Sequence, residues 1–92
     1  MEPAVCSDIV LSLAGHDSGR LYVVVGRDGG YACLADGKVR RLTNPKRKSD
    51  KHLRVVGRVD SPLAEKLRGG QLKDSEIRRA LAQSRQQPAK PD

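Results

Sequence analysis

Apolar residues fall in short runs separated by glycine and polar turn formers across the first sixty positions. Residues 9–13, IVLSL, are aliphatic and β-branched and predict a first strand. Residues 14–20, AGHDSGR, form a loop bracketed by Gly15 and Gly19. Residues 21–25, LYVVV, are the strongest strand signal in the chain. Apolar side chains would point both ways from that strand, which requires cover on both faces. Gly26 can then bend or bulge it. Asp28-Gly29-Gly30 is a hairpin signal, and residues 31–35, YACLA, return as a third strand. Asp36-Gly37 reads as a second hairpin turn leading into a fourth strand over residues 38–42, KVRRL. Val39 would face inward there, with Lys38 and Arg40 outward. Strict alternation puts Leu42 on the face of Arg40, so this strand ends or bulges near Arg41. Residues 43–50 read as a basic loop kinked by Pro45. Residues 51–59, with Leu53, Val55, Val56 and Val59, supply a short fifth strand. Five short strands joined by tight turns predict a small β-barrel over residues 1–59.

The period then changes from 2 to 3.6. Ser61 as cap and Pro62 in the first turn start a short helix, which Gly69-Gly70 stops. A second helix carries Ile77, Ala80, Leu81 and Ser84 at i, i+3, i+4 and i+7. Leu72 and Ile77 are spaced as a hydrophobic staple, and Glu76 sits at the third position of a capping box. The cap position falls on Lys73, which has no capping oxygen, so Asp74 is the expected cap one residue later. Residues 86–92, with two prolines, read as a frayed tail. Residues 60–92 are thus a helical extension of one mainly β domain, and no internal repeat is visible.

Charge changes the picture. The 92 residues carry 18 Lys plus Arg and 11 Asp plus Glu, a net of +7. Residues 38–58 alone hold nine basic residues and one acidic, a net of +8, whereas residues 1–37 are net −3. A field concentrated in this way attracts polyanions. The opening MEPAVCSDIVL does not read as a secretory leader, because it lacks a basic start and Asp8 interrupts the apolar run. No run approaches the roughly 20 apolar residues of a membrane span. Two cysteines are too few for a disulfide scaffold, which points to the cytoplasm.

Catalytic and metal chemistry find little footing. Cys6, Cys33, His16 and His52 are not in a CxxC or in metal-type spacing. Cys33 alternates with apolar neighbours and reads as a buried, inert thiol. Asp28 and Asp36 each precede a glycine and read as turn residues. Gly15-x-x-x-Gly19 is no P-loop, since no Gly-Lys-Ser/Thr follows. It can still lie close to a phosphate backbone beside Arg20. The basic segment is different. Its charges sit on and beside predicted strand positions, local opposite charge is nearly absent, and arginines and lysines mix, as phosphate contact favours. With only Tyr22 and Tyr31 as rings, recognition of folded RNA by shape and backbone fits better than base stacking.

Residues 8–26, DIVLSLAGHDSGRLYVVVG, resemble a KOW motif: strand, glycine loop, strand. With ADGKVRRL, KHL and the later SEIRRAL, the chain resembles small bacterial KOW-domain RNA-binding proteins and the L-fourteen-e type KOW ribosomal proteins of the large subunit. The resemblance implies a five-stranded SH3-like barrel that binds ribosomal RNA without catalysis, cofactor or metal. The implied partners are large-subunit ribosomal RNA and ribosomal proteins, with no membrane and a monomer when free. Carried over by position, the implied contacts are Gly15, Gly19, Arg20, Lys38, Arg40, Arg41, Lys51 and His52. Lys46, Arg47 and Lys48 join them on charge alone. The competing expectation is an SH3-like protein-interaction module serving transcription or translation machinery, since KOW barrels also occur in elongation factors.

Overall fold

Residues 4–86 are described by a computed structural model. The aliphatic runs build β1 (Asp8–Ser12), β2 (Leu21–Asp28) and β3 (Tyr31–Ala35), as their alternation requires. β2 is long enough to serve two partners. Its first residues pair with β1 (Ile9↔Val23, Leu11↔Leu21) and its remainder with β3 (Val23↔Ala35 through Asp28↔Tyr31). The register shifts between Val24 and Gly26, so the bulge expected at this glycine is present. Gly29 takes positive φ in the β2–β3 turn.

The fourth strand is not at 38–42. Asp36 accepts the backbone N–H groups of Lys38 (2.9 Å) and Arg40 (2.8 Å), and Gly37 has φ +77°. The carboxylate thereby takes the amides a ladder would have used. Val39, expected to face inward, is 68% exposed, and Leu42 packs beside the helices instead. β4 is Lys46–Ser49, within the stretch expected to be a loop, and pairs with β3 from Tyr31↔Ser49 to Leu34↔Lys46. A short 3-10 turn, Asp50–His52, leads to β5 (Leu53–Arg58), which pairs with β1 from Asp8↔Arg58 to Ser12↔Leu53. The result is one antiparallel sheet in the order β4-β3-β2-β1-β5. Leu53 is buried, but Val55 and Val56 are 47% and 48% exposed on the β5 edge rather than in the core.

The sheet has a core on each face, as β2 demanded. Val10, Tyr22, Val24, Ala32, Leu34 and Leu53 gather on one, joined by Ala4. Ile9, Val23 and Ala35 face the other, where Ile77, Ala80 and Leu81 of α2 (Asp74–Gln86) cover them. Ile77 and Leu81 are fully buried, so truncating either to alanine costs about 2–5 kcal/mol. Asp60, not Ser61, caps α1 (Ser61–Arg68), its carboxylate accepting the Leu63 N–H at 3.1 Å. At α2, Glu76 reaches back to the Lys73 N–H (3.0 Å), which is one half of a capping box. Asp74, expected to cap, instead accepts the Leu42 N–H (2.9 Å) and pins the loop 36–45 against the helix. The expected tail beyond residue 86 lies outside the described residues. Among the described residues, no helix is long and apolar enough to cross a membrane.

Candidate nucleic-acid interface

The glycine loop between β1 and β2 is tightly organised. Gly15 and Gly19 have φ of +85° and +88°, the left-handed region their lack of Cβ permits. Gly19 N–H donates to the Ser12 carbonyl (2.8 Å), and Ser12 N–H to that of Arg20 (2.9 Å). Inside the loop lies Asp17, a buried residue that its polar, glycine-bracketed setting gives no sign of. Four side chains converge on its carboxylate. Ser12 Oγ donates to Oδ1 at 3.1 Å and the Tyr22 hydroxyl to Oδ2 at 3.2 Å. Lys48 Nζ donates to Oδ1 at 2.7 Å and to the Ala14 carbonyl at 2.7 Å. Lys46 Nζ is 3.2 Å from Oδ2.

Strand alternation explains how β4 supplies both lysines. Lys46 and Lys48 pair with Leu34 and Ala32, whose side chains lie in the core on the Tyr22 face. The two ammonium groups therefore rise on that face toward Asp17. Burial alone would raise the Asp17 pKa. The ammonium groups of Lys48 and Lys46, with the Ser12 hydroxyl, together outweigh burial and hold it well below the usual carboxylate range. Burial, and then the adjacent Asp17 charge, push the Tyr22 phenol up to about 12. Arg47, between the lysines, points to the opposite face. There it lies over the Tyr31 ring (4.9 Å to the centroid) and 3.2 Å from Asp28. Arg27 chelates Asp50 with both terminal nitrogens and also donates to the Ala4 and Gly29 carbonyls. Its hydrogen bonds hold the Asp50 carboxyl below its ordinary pKa.

Opposite charge is thus present around β4, but it comes from distant parts of the chain. The remaining cations behave differently. Among the described residues, Arg20, Lys38, Arg40, Arg41, Lys51 and Arg54 are in no ion pair. Arg20 directly precedes β2. Lys38, Arg40 and Arg41 follow Ala35, the residue paired with Val23 near the start of β2. Both groups therefore leave the sheet at the same end of that strand. Lys51 and His52 sit in the 3-10 turn, and the His52 carbonyl accepts the Leu13 N–H (2.9 Å), which ties the turn to the glycine loop.

Of the residues singled out in the sequence, Gly15, Lys46 and Lys48 come together around Asp17. A Cβ on Gly15 would lie 3.5 Å from Lys48 Nζ. Arg47 faces away from this group. Cys6 is exposed and Cys33 half-buried rather than fully enclosed; His16 is exposed. Among the described residues, no group of three or more His, Cys, Asp or Glu is placed to hold a metal ion. The loop 36–45 is held firmly. Besides the Asp36 and Asp74 bonds, the Gly37 carbonyl accepts from Arg78, and a Cβ on Gly37 would lie 2.3 Å from the Asp74 carbonyl oxygen. No protein-family model matches the chain, and no curated protein matches it.

Proposed function

We propose that this protein is a non-catalytic RNA-binding module of the KOW type, which takes ribosomal RNA or a ribosomal particle on a basic surface of an SH3-like barrel. Reach supports the barrel. β4 and β5 are the two ends of the sheet order, yet only Asp50–His52 separate them. A flat five-stranded sheet sets its outer strands about 19 Å apart. The link from Ser49 to Leu53 spans at most about 14 Å. The sheet must therefore curl, and the Lys48 contact with the β1–β2 loop follows from the same curl.

The observation that carries the RNA reading is the set of unpaired cations at the start of β2: Arg20, Lys38, Arg40 and Arg41. Their backbone is fixed by Asp36, Asp74 and the glycine loop, so binding need not order the backbone that carries them. Arginine forks and a lysine point charge carried at one end of the strand suit phosphate oxygens. Binding would release counterions and fall steeply with salt. Replacing Arg40 and Arg41 by Glu is the direct test. A folded double variant with undiminished affinity for large-subunit ribosomal RNA refutes this surface. Sedimentation of the tagged protein from native lysate, with and without ribonuclease and at two salt concentrations, tests the ribosomal assignment. Migration with large-subunit particles that nuclease or high salt abolishes is the expected result.

A second reading, a protein-docking barrel, draws on one feature: Val55 and Val56 lie exposed on the β5 edge. Co-purifying protein that survives nuclease unchanged, together with free sedimentation, would favour it.

A further inference from the structure

The basic segment has two jobs, and Asp17 divides them. We infer that Asp17 is a positioning residue that removes Lys46 and Lys48 from phosphate contact and uses them as a latch between β4 and the glycine loop. The RNA-facing charge is thereby left to Arg20, Lys38, Arg40 and Arg41. This inference rests on the RNA reading above, and it reassigns two cations that charge alone would place on the RNA.

The geometry carries the argument. Lys48 Nζ makes two 2.7 Å bonds, one to the Asp17 carboxylate and one to a backbone carbonyl of the same loop. Its side chain is only 11% exposed. Lys46 holds the second carboxylate oxygen. Ser12 and Tyr22, from the strands either side of the loop, complete the shell. Every buried side-chain polar atom among the described residues has a partner. A phosphate that captured Lys48 would have to leave Asp17 charged, buried and stripped of its closest cation. Stranding a buried charge in that way outweighs what one exposed phosphate contact returns. The latch also fixes what it does not touch. It sets the conformation of residues 14–20, and with it the position of Arg20 at the mouth of β2.

Counterion release reads the division directly. For a short RNA duplex, the slope of log affinity against log salt counts the phosphates neutralised, about 0.9 per contact. Arg41→Gln should flatten the slope by about that amount. Lys46→Gln should leave it unchanged. Asp17→Asn, which releases both lysines to solvent, should steepen it. If Lys46→Gln flattens the slope as much as Arg41→Gln does, the latch is not the role of Lys46 and the inference is overturned.

Amine acetylation of the native wild-type protein, read by mass spectrometry, tests the latch without RNA or any variant. Lys46 and Lys48, held against Asp17, should react more slowly than the exposed Lys38 and Lys51. Equal rates overturn the latch even if RNA binds. If instead the wild-type protein binds the duplex with no salt dependence, the RNA reading falls, and the acetylation rates alone decide the latch.

Discussion

Two basic stretches lie within a dozen residues of each other and are built in opposite ways. In the loop 36–45, the local carboxylate, Asp36, accepts the backbone amides of Lys38 and Arg40 and leaves the basic side chains outside any ion pair. In β4, the backbone is satisfied by the sheet, and the carboxylates Asp17 and Asp28 accept the side chains. One arrangement fixes the chain and frees the charge. The other fixes the charge and closes the chain. Charge density along a sequence therefore says little about the external field until the destination of each acidic oxygen is known.

The sharpest break in this comparison is removal of Asp17. Asp17→Ala strands Lys48 with a single neutral acceptor and leaves the Tyr22 hydroxyl without its carboxylate, for a loss of about 3–5 kcal/mol. Small domains hold only about 5–15 kcal/mol in total, so urea unfolding should show a large fall in midpoint. A loss under about 1 kcal/mol would mean that β4 is held by its ladder alone. Next in size is Gly37→Ala. Its Cβ would overlap the Asp74 carbonyl at positive φ, and relieving that costs roughly 2–3 kcal/mol. The substitution should also loosen the Lys38–Arg41 turn, read as faster amide exchange at Lys38 and Arg40.

The acid limb of the stability curve separates the two stretches more finely. Asp17 has a folded pKa below its unfolded value, so its contribution is complete above about pH 4. It is lost as pH falls through the folded value. Asp17→Asn should therefore flatten stability against pH below about pH 4, with the difference from wild type shrinking as acid protonates Asp17. The smallest effect belongs to Arg47. Its ion pair with Asp28 and its stacking on Tyr31 are largely exposed, so Arg47→Gln should cost about 0.5 kcal/mol or less. A larger loss would show that the outer face of β4 also secures the strand.

β1, β2, β3, the Gly26 bulge and the buried stripe of α2 were all legible, because each is written as apolar alternation or helical period within its own residues. Residues 38–42 misled for the same reason. One valine between charges mimics a strand, and nothing local signals that the Asp36 carboxylate will take the amides. β4 was illegible in the converse way. KRKS contains no apolar residue, and its inward face is satisfied by an acid 31 residues earlier. Asp17 was hidden by its setting. It lies in a glycine-bracketed loop, where a turn role already accounts for an aspartate, and the two lysines that meet it sit on the strand that could not be read. The unpaired cluster was visible as charge but not as a place. Its position depends on β3 returning beside Val23 and on α2 holding the loop.

The pairing of β1 with β5 also sets a schedule during synthesis. β1 ends at Ser12, but its second neighbour is not finished until Arg58. At typical elongation rates the ribosome needs roughly 2–9 s to make the intervening chain. β1 and β2 can meet early as neighbours in sequence, whereas the outer edge of β1 waits with Ile9, Val10 and Leu11 unpaired on that side. The nascent hairpin is therefore most open to wrong strand partners in this interval, and any chaperone or ribosomal surface that shields it must act before β5 emerges.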